Sequence, residues 1–157
     1  MKVVFLDIDG VLNSNNFYNE CWDNYKFKTA ACNWILDQRC LLRLYRLIDT
    51  TKAVIVLTSS WRISPTARGL ACDQLRFYEL TVYGATENNG KSRADQILDW
   101  VRANPGIEEY VILDDDVDDF LMRGMGEHLV LTDLQKGLTD NDVNAAISIL
   151  LGKDKHV

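Results

Sequence analysis

Three short apolar runs constrain the fold of this chain more than any other feature: Val3-Val4-Phe5-Leu6, Ala53-Val54-Ile55-Val56-Leu57 and Tyr110-Val111-Ile112-Leu113. None of them alternates between apolar and polar residues. Continuous apolarity over so short a span is the pattern of a strand covered on both faces, and such strands form the interior of parallel sheets. Each run stops abruptly at polar side chains: Asp7-Ile8-Asp9 after the first, Thr58-Ser59 after the second and Asp114-Asp115-Asp116 after the third. In a parallel sheet all carboxyl ends lie on one edge, where open α/β sheets hold their ligands. Side chains remote in sequence are therefore expected to meet there.

The intervening segments supply the helices that such a sheet needs. Residues 36–50 carry an apolar stripe through Cys40, Leu41, Leu44, Leu47 and Ile48. Ser64-Pro65 starts a second helix, serine as cap and proline in the first turn; it runs to Leu80 and is weakened by Gly69. Leu80-Thr81-Val82-Tyr83 and Leu129-Val130-Leu131 read as further strands. Ser92-x-x-Asp95 and Thr139-x-x-Asp142 each open a helix, the first closed by Pro105-Gly106. Strands alternating with helices predict an α/β fold, a three-layer sandwich around a central parallel sheet.

Residues 1–152 are expected to form one domain, as the length of 157 residues allows. Residues 13–35 are polar and aromatic, with Phe17, Tyr18, Trp22 and Tyr25 in no clear period. They predict a flap or small insertion beside the first strand end, too short for a large cap domain. Residues 153–157 are expected to be a frayed tail.

The net charge of −6 gives no general basic footprint for nucleic acid or an anionic membrane. Four cysteines without a C-x-x-C pair, and only two histidines (His128 and His156), predict no zinc site. They read as free thiols in a reducing compartment. Met1-Lys2 leads straight into the first run, so no secretory leader is expected. No apolar run approaches the roughly 20 residues of a membrane span. A cytoplasmic location without membrane partners is the expectation.

The polar strand ends define a chemistry. Crowded carboxylates repel one another unless a cation is present. Mg²⁺ suits this set, since it takes one or two carboxylates and shares phosphate oxygens, whereas a full oxygen cage for Ca²⁺ is missing. A carboxylate can also attack phosphorus to form an aspartyl-phosphate. The Thr58 hydroxyl and the cation of Lys91 or Arg93 would then hold the phosphoryl oxygens.

These residues resemble the motifs of the haloacid dehalogenase superfamily. Asp7-Ile8-Asp9-Gly10-Val11-Leu12 looks like its first motif in the phosphatase D-x-D-G form, Thr58 like the second, Lys91 or Arg93 like the third, and Asp114-Asp115 like the fourth. Leu12-Asn13, Thr58-Ser59-Ser60-Trp61-Arg62, Arg93-x-x-x-Ile97-x-x-Trp100 and Leu113-Asp114-Asp115-Asp116 look like one branch, the small phosphatase domain of "Swiss Army knife" RNA repair proteins. The resemblance implies phosphate removal from a nucleotide or nucleic-acid end. It implies Asp7 as nucleophile and metal ligand, and Asp9 as proton donor and then base, with its backbone carbonyl on Mg²⁺. Asp115 is the first choice for the remaining metal ligand and Asp114 the second. The R-x-x-x-I spacing favours Arg93 over Lys91, and Asn13, Ser59 and Arg62 are expected on the substrate side.

Two other readings compete. A non-catalytic phosphate- or metal-binding module would keep the same residues without turnover. A phosphoacceptor receiver also combines aspartate, threonine and lysine beside Mg²⁺, but there the acid pair precedes the acceptor. Here the acceptor-like acid comes first and the extra acids last, against that reading.

Overall fold

The computed structural model describes residues 1–24 and 30–152. Tyr25 and the rest of 25–29, and the expected tail at 153–157 with His156, lie outside the described residues. In chain order the elements are β1 (Lys2–Leu6), α1 (Asn15–Asn24), α2 (Gln38–Thr51), β2 (Val54–Leu57), α3 (Pro65–Phe77), β3 (Val82–Ala85), α4 (Arg93–Ala103), β4 (Glu109–Asp114), α5 (Asp118–Met122), β5 (Leu129–Leu131) and α6 (Asp140–Leu151). The strands form one sheet in the order β3-β2-β1-β4-β5, and every neighbouring pair is parallel.

Alternate residues of β1 feed two separate cores. Val4 and Leu6 pack with Leu41, Leu44, Ala71 and Val143, in a layer drawn from α2, α3 and α6. Val3 and Phe5 pack with Ala94, Ile97, Phe120 and Met125, the layer of α4 and α5. Phe5 also meets the Trp100 ring edge-on at 5.6 Å. Both faces of the central strand are covered, which is why it reads as an unbroken apolar run. The predicted three-layer sandwich is the observed fold.

The register positions the site. Leu6 lies opposite Leu57 on one side and Leu113 on the other, with no bulge in either pairing. The residues that follow, Asp7, Thr58 and Asp114, therefore stand in one row. The row is closed by Thr58 N–H donating to the Leu6 carbonyl (2.9 Å) and Asp7 N–H to that of Leu113 (3.0 Å).

Four local expectations are corrected. The irregular flap contains α1, started by Ser14, whose hydroxyl accepts from the Phe17 N–H (3.1 Å). Its apolar stripe is missing because Cys21 is the single buried residue of the helix. The strand expected at 80–83 starts later, because Leu80 belongs to the end of α3. Glu79 takes a left-handed conformation (φ 60°), and the Leu80 and Glu79 N–H groups return to the carbonyls of Leu75 (3.0 Å) and Arg76 (2.9 Å). That is a Schellman closure with Leu80 as its buried apolar plug. Helix α3 runs unbroken through Gly69, whose surroundings are open. The short α5 was not expected at all. Among the described residues no helix is long and apolar enough to cross a membrane.

Candidate active site

The row at the sheet edge is buried: Asp7 is 5% exposed, and Thr58 and Asp114 are 0%. Thr58 Oγ1 is the one buried side-chain nitrogen or oxygen among the described residues without a hydrogen-bond partner. An unpaired buried hydroxyl costs about 1–3 kcal/mol, so natural proteins keep few of them, and such exceptions concentrate where a ligand is met.

Arg93 is the cation of the site. Ser92 caps α4 by accepting from the Asp95 N–H (3.2 Å), which makes Arg93 the first helical residue. A carboxyl oxygen of Asp119 accepts the Ala94 N–H (2.7 Å) and ties the same helix end to α5. Arg93 Nη1 then donates to Asp7 Oδ2 (2.9 Å) and Asp114 Oδ2 (2.6 Å). Lys91 precedes the cap and turns elsewhere, its ammonium pairing with Asp99 on the exposed side of the helix. The structure brings Arg93, and not Lys91, to the acids.

The charges perturb one another. Burial, the largest influence, pushes the Asp7 carboxyl above its ordinary range, while Arg93, the Ile8 N–H and the Ser59 hydroxyl pull it back. Asp114 is pushed up to about 6 by burial and then by the charge of Asp7, against the opposing pull of Arg93 and the Asp116 N–H. Asp115 is raised by burial and by Asp7. Burial works against the Arg93 charge, but the two carboxylates more than offset it and hold its pKa well above the usual value. Arg93 pairs directly with two of the three acids and leaves Asp115 unpaired by it, an arrangement with room for another positive charge.

The acids also fit one. Oxygens of Asp7, Asp114 and Asp115 lie within 4.8 Å of one another. All three are hard anionic donors, with no thiol or imidazole in the group, which suits Mg²⁺ rather than zinc. Asp114 has both oxygens engaged, Oδ2 on Arg93 and Oδ1 accepting from the Asp116 N–H (3.0 Å). Asp115 is half-buried and its carboxyl lies over Gly10. Gly10 has φ +79°, and a Cβ there would sit 2.6 Å from Asp115 Cγ. Glycine is needed twice over, for the turn and for the space that Asp115 occupies. The side chain of Asp118 lies outside the described residues.

Asp9 stands beside this cluster, exposed but held. Its Oδ1 accepts from Asn13 Nδ2 (2.8 Å) and its Oδ2 from the indole Nε1 of Trp61 (3.1 Å). Asn13 is itself locked, its Oδ1 accepting from the Gly10 N–H (3.0 Å). A cavity of about 250 Å³ opens next to Asp9, walled by Asn13, Phe17, Tyr18, Asn33 and Leu134 among others.

The three residues expected to face substrate all have partners within the protein, and Asn13 also lines the cavity beside Asp9. Asn13 holds Asp9 and the Gly10 turn. Ser59 is fully buried, accepts from the Trp61 N–H (3.3 Å) and donates to Asp7. Arg62 donates to the carbonyls of Thr58 (2.6 Å), Ser59 (2.8 Å) and Thr86 (2.8 Å), and through Nη2 to Gln96 Oε1 (2.6 Å). Gln96 Nε2 in turn donates to the Lys91 carbonyl (2.9 Å). Arg62 is thus a buckle joining the ends of β2 and β3 to the start of α4, donating to carbonyls that lie beyond the strand ladders. Gln96, absent from the sequence reading, carried no signal beyond its place on a helix, and Asp119 read only as a further acid beyond the fourth motif. Trp61 carried one, two residues beyond Ser59 at a strand end, without showing its partner.

Neither a curated protein nor a solved structure matches the chain. A family profile does, described as the HAD domain in Swiss Army Knife RNA repair proteins, over residues 3–143. That span runs from β1 into α6 and takes in the whole acidic row with its arginine, so the chain belongs to this family of HAD domains from RNA repair proteins.

Proposed function

We propose that the protein is a Mg²⁺-dependent phosphomonoesterase that acts through an aspartyl-phosphate on Asp7, with a nucleotide or nucleic-acid end as its substrate. The observation that carries this reading is the buried row itself: a carboxylate paired with an arginine stands beside a strand end whose buried hydroxyl has no partner. An oxygen of Asp7 attacks phosphorus as the bond to the leaving oxygen breaks, and Asp9 gives that oxygen its proton. Asp9, now a carboxylate, takes a proton from water, whose oxygen attacks the same phosphorus. Asp7 is restored and inorganic phosphate leaves. Thr58 and Arg93 donate to the phosphoryl oxygens throughout. Asp7 and Asp115 would hold Mg²⁺, with Asp114 and the Asp9 carbonyl as further candidates. The ion would neutralise charge on the phosphoryl oxygens and relieve the repulsion between the acids.

Membership in a family of RNA repair domains supports the nucleic-acid end. The net charge of −6 favours a terminus or a mononucleotide over a long polyanion lying across the surface. Free Cys21, Cys32, Cys40 and Cys72 support a reducing compartment, and we place the protein in the cytoplasm. The test is phosphate release with Mg²⁺ from an aryl phosphate, mononucleotides, and 3′- and 5′-phosphorylated oligonucleotides. Asp7→Asn is expected to abolish release while retaining the thermal transition. Robust turnover by that variant would refute the nucleophile. Mg²⁺ binding by the unmodified protein without turnover on any substrate would leave a binding module instead.

A further inference from the structure

The geometry points to Trp61 as a positioning residue for Asp9. This rests on the reading of Asp9 as the acid that protonates the leaving group. An exposed aspartate on a turn ordinarily samples several rotamers, and general acid catalysis needs one orientation held near hydrogen-bond reach of the leaving oxygen. Here both carboxyl oxygens have a protein donor, Asn13 Nδ2 at 2.8 Å and Trp61 Nε1 at 3.1 Å.

Trp61 is the stiffer of the two. Its side chain is 7% exposed and packs edge-on against Trp34 at 5.2 Å. It sits on the short 3-10 turn Ser60–Arg62, which Ser59 caps. The next residue, Arg62, bolts that turn to three backbone carbonyls. The loop that presents Thr58 to the row therefore also sets the direction of Asp9 from across the sheet edge.

The donor chemistry matters as much as the stiffness. An indole N–H and an amide NH₂ donate and cannot accept, so neither can take the proton of Asp9. Each engages one carboxyl oxygen and leaves further lone pairs on it, and Asp9 itself lines the cavity walled by Tyr18 and Asn33. A leaving group lying in that cavity would be the acceptor open to a proton on Asp9.

The test uses leaving groups of different need. A phosphorylated primary alcohol requires a proton as it departs; 4-nitrophenol does not. Comparing kcat/KM confines the readout to the steps up to departure of the leaving group. Trp61→Phe keeps the ring and removes the N–H. It is expected to lower the ratio of kcat/KM for an alkyl phosphate over 4-nitrophenyl phosphate by about 10-fold, and Asp9→Asn by about 100-fold. A merely structural role for Trp61 would slow both substrates alike and leave the ratio unmoved; that result overturns the proposal. Asn13→Ala applies the same comparison from the other oxygen and keeps it decisive if Trp61→Phe does not fold. If Asp9→Asn itself leaves the ratio unmoved, the assignment of Asp9 falls. If Asp9→Asn moves the ratio and neither Trp61→Phe nor Asn13→Ala does, only the positioning role falls.

Discussion

Replacing Thr58 separates stability from function in opposite directions. The side chain is fully buried and its hydroxyl has no partner, so the folded protein carries an unreturned desolvation cost of about 1–3 kcal/mol. Thr58→Val removes the hydroxyl at nearly constant shape. The variant is expected to gain about 1 kcal/mol, a rise in Tm of about 2–4 °C for a domain of this size. Its turnover should fall by about 100- to 1000-fold, the loss typical of one donor to a developing anion. Thr58→Ser does the reverse: it keeps the donor and the activity, and loses one buried methyl, about 1 kcal/mol of stability. Thermal and urea denaturation of the three proteins without phosphate, beside initial rates on an aryl phosphate with Mg²⁺, give both quantities. A Thr58→Val protein that is less stable than the parent would show that the hydroxyl is satisfied in the folded state. One that is more stable but fully active would remove Thr58 from the phosphoryl site. Either result breaks the argument that the orphan hydroxyl is kept for a ligand.

Arg93→Met strips the cation from two buried carboxylates and is expected to cost about 3 kcal/mol at pH 7.5 without Mg²⁺ in urea denaturation, whereas Lys91→Met, which breaks a surface pair, should cost less than about 0.5 kcal/mol; equal losses would contradict the placement of the two cations. In the metal-free protein Asp114 has a folded pKa of about 6 against an ordinary 3.8, so the folded state binds its proton more tightly. The stability this group contributes is full below pH 3.8 and is lost as pH rises through 6, about 3 kcal/mol in all. Mg²⁺ should accordingly stabilise the protein more at pH 7.5 than at pH 5, and a pH-independent effect in denaturation scans would count against the cluster as its site. Gly10→Ala forces a left-handed conformation and drives a Cβ into Asp115, so calorimetry should show weakened Mg²⁺ binding; Gly90→Ala, also at positive φ but in open space, should cost only backbone strain of about 1–2 kcal/mol and leave Mg²⁺ binding intact.

The row of Asp7, Thr58 and Asp114 was legible because it depends on so little: three unbroken apolar strands, paired without a bulge, must place the residues after Leu6, Leu57 and Leu113 side by side. Arg93 was legible for a similar reason, since a serine cap decides which of two nearby cations enters the helix. Loop partners obey no such rule. Asn13, Ser59 and Arg62 have the chemistry to meet a phosphate or a base, and equally to satisfy backbone groups at a sheet edge. The choice depends on how many carbonyls the loops leave without donors, which only the assembled loops reveal. Arg62 donates to three carbonyls there, of which the Ser59 carbonyl also accepts a backbone N–H. Helix α1 escaped notice because burying Cys21 alone leaves no stripe to read. This has a consequence for substrate choice. On the proposed reading, discrimination among leaving groups falls to the cavity next to Asp9, whose walls Asn13, Phe17, Tyr18 and Asn33 come from the insertion at 13–35. On that reading the phosphoryl half of the site is set by strand register, which chains with these motifs share. The leaving-group half is written in the segment least constrained by the sheet, and there two such chains can share every motif and still differ in substrate.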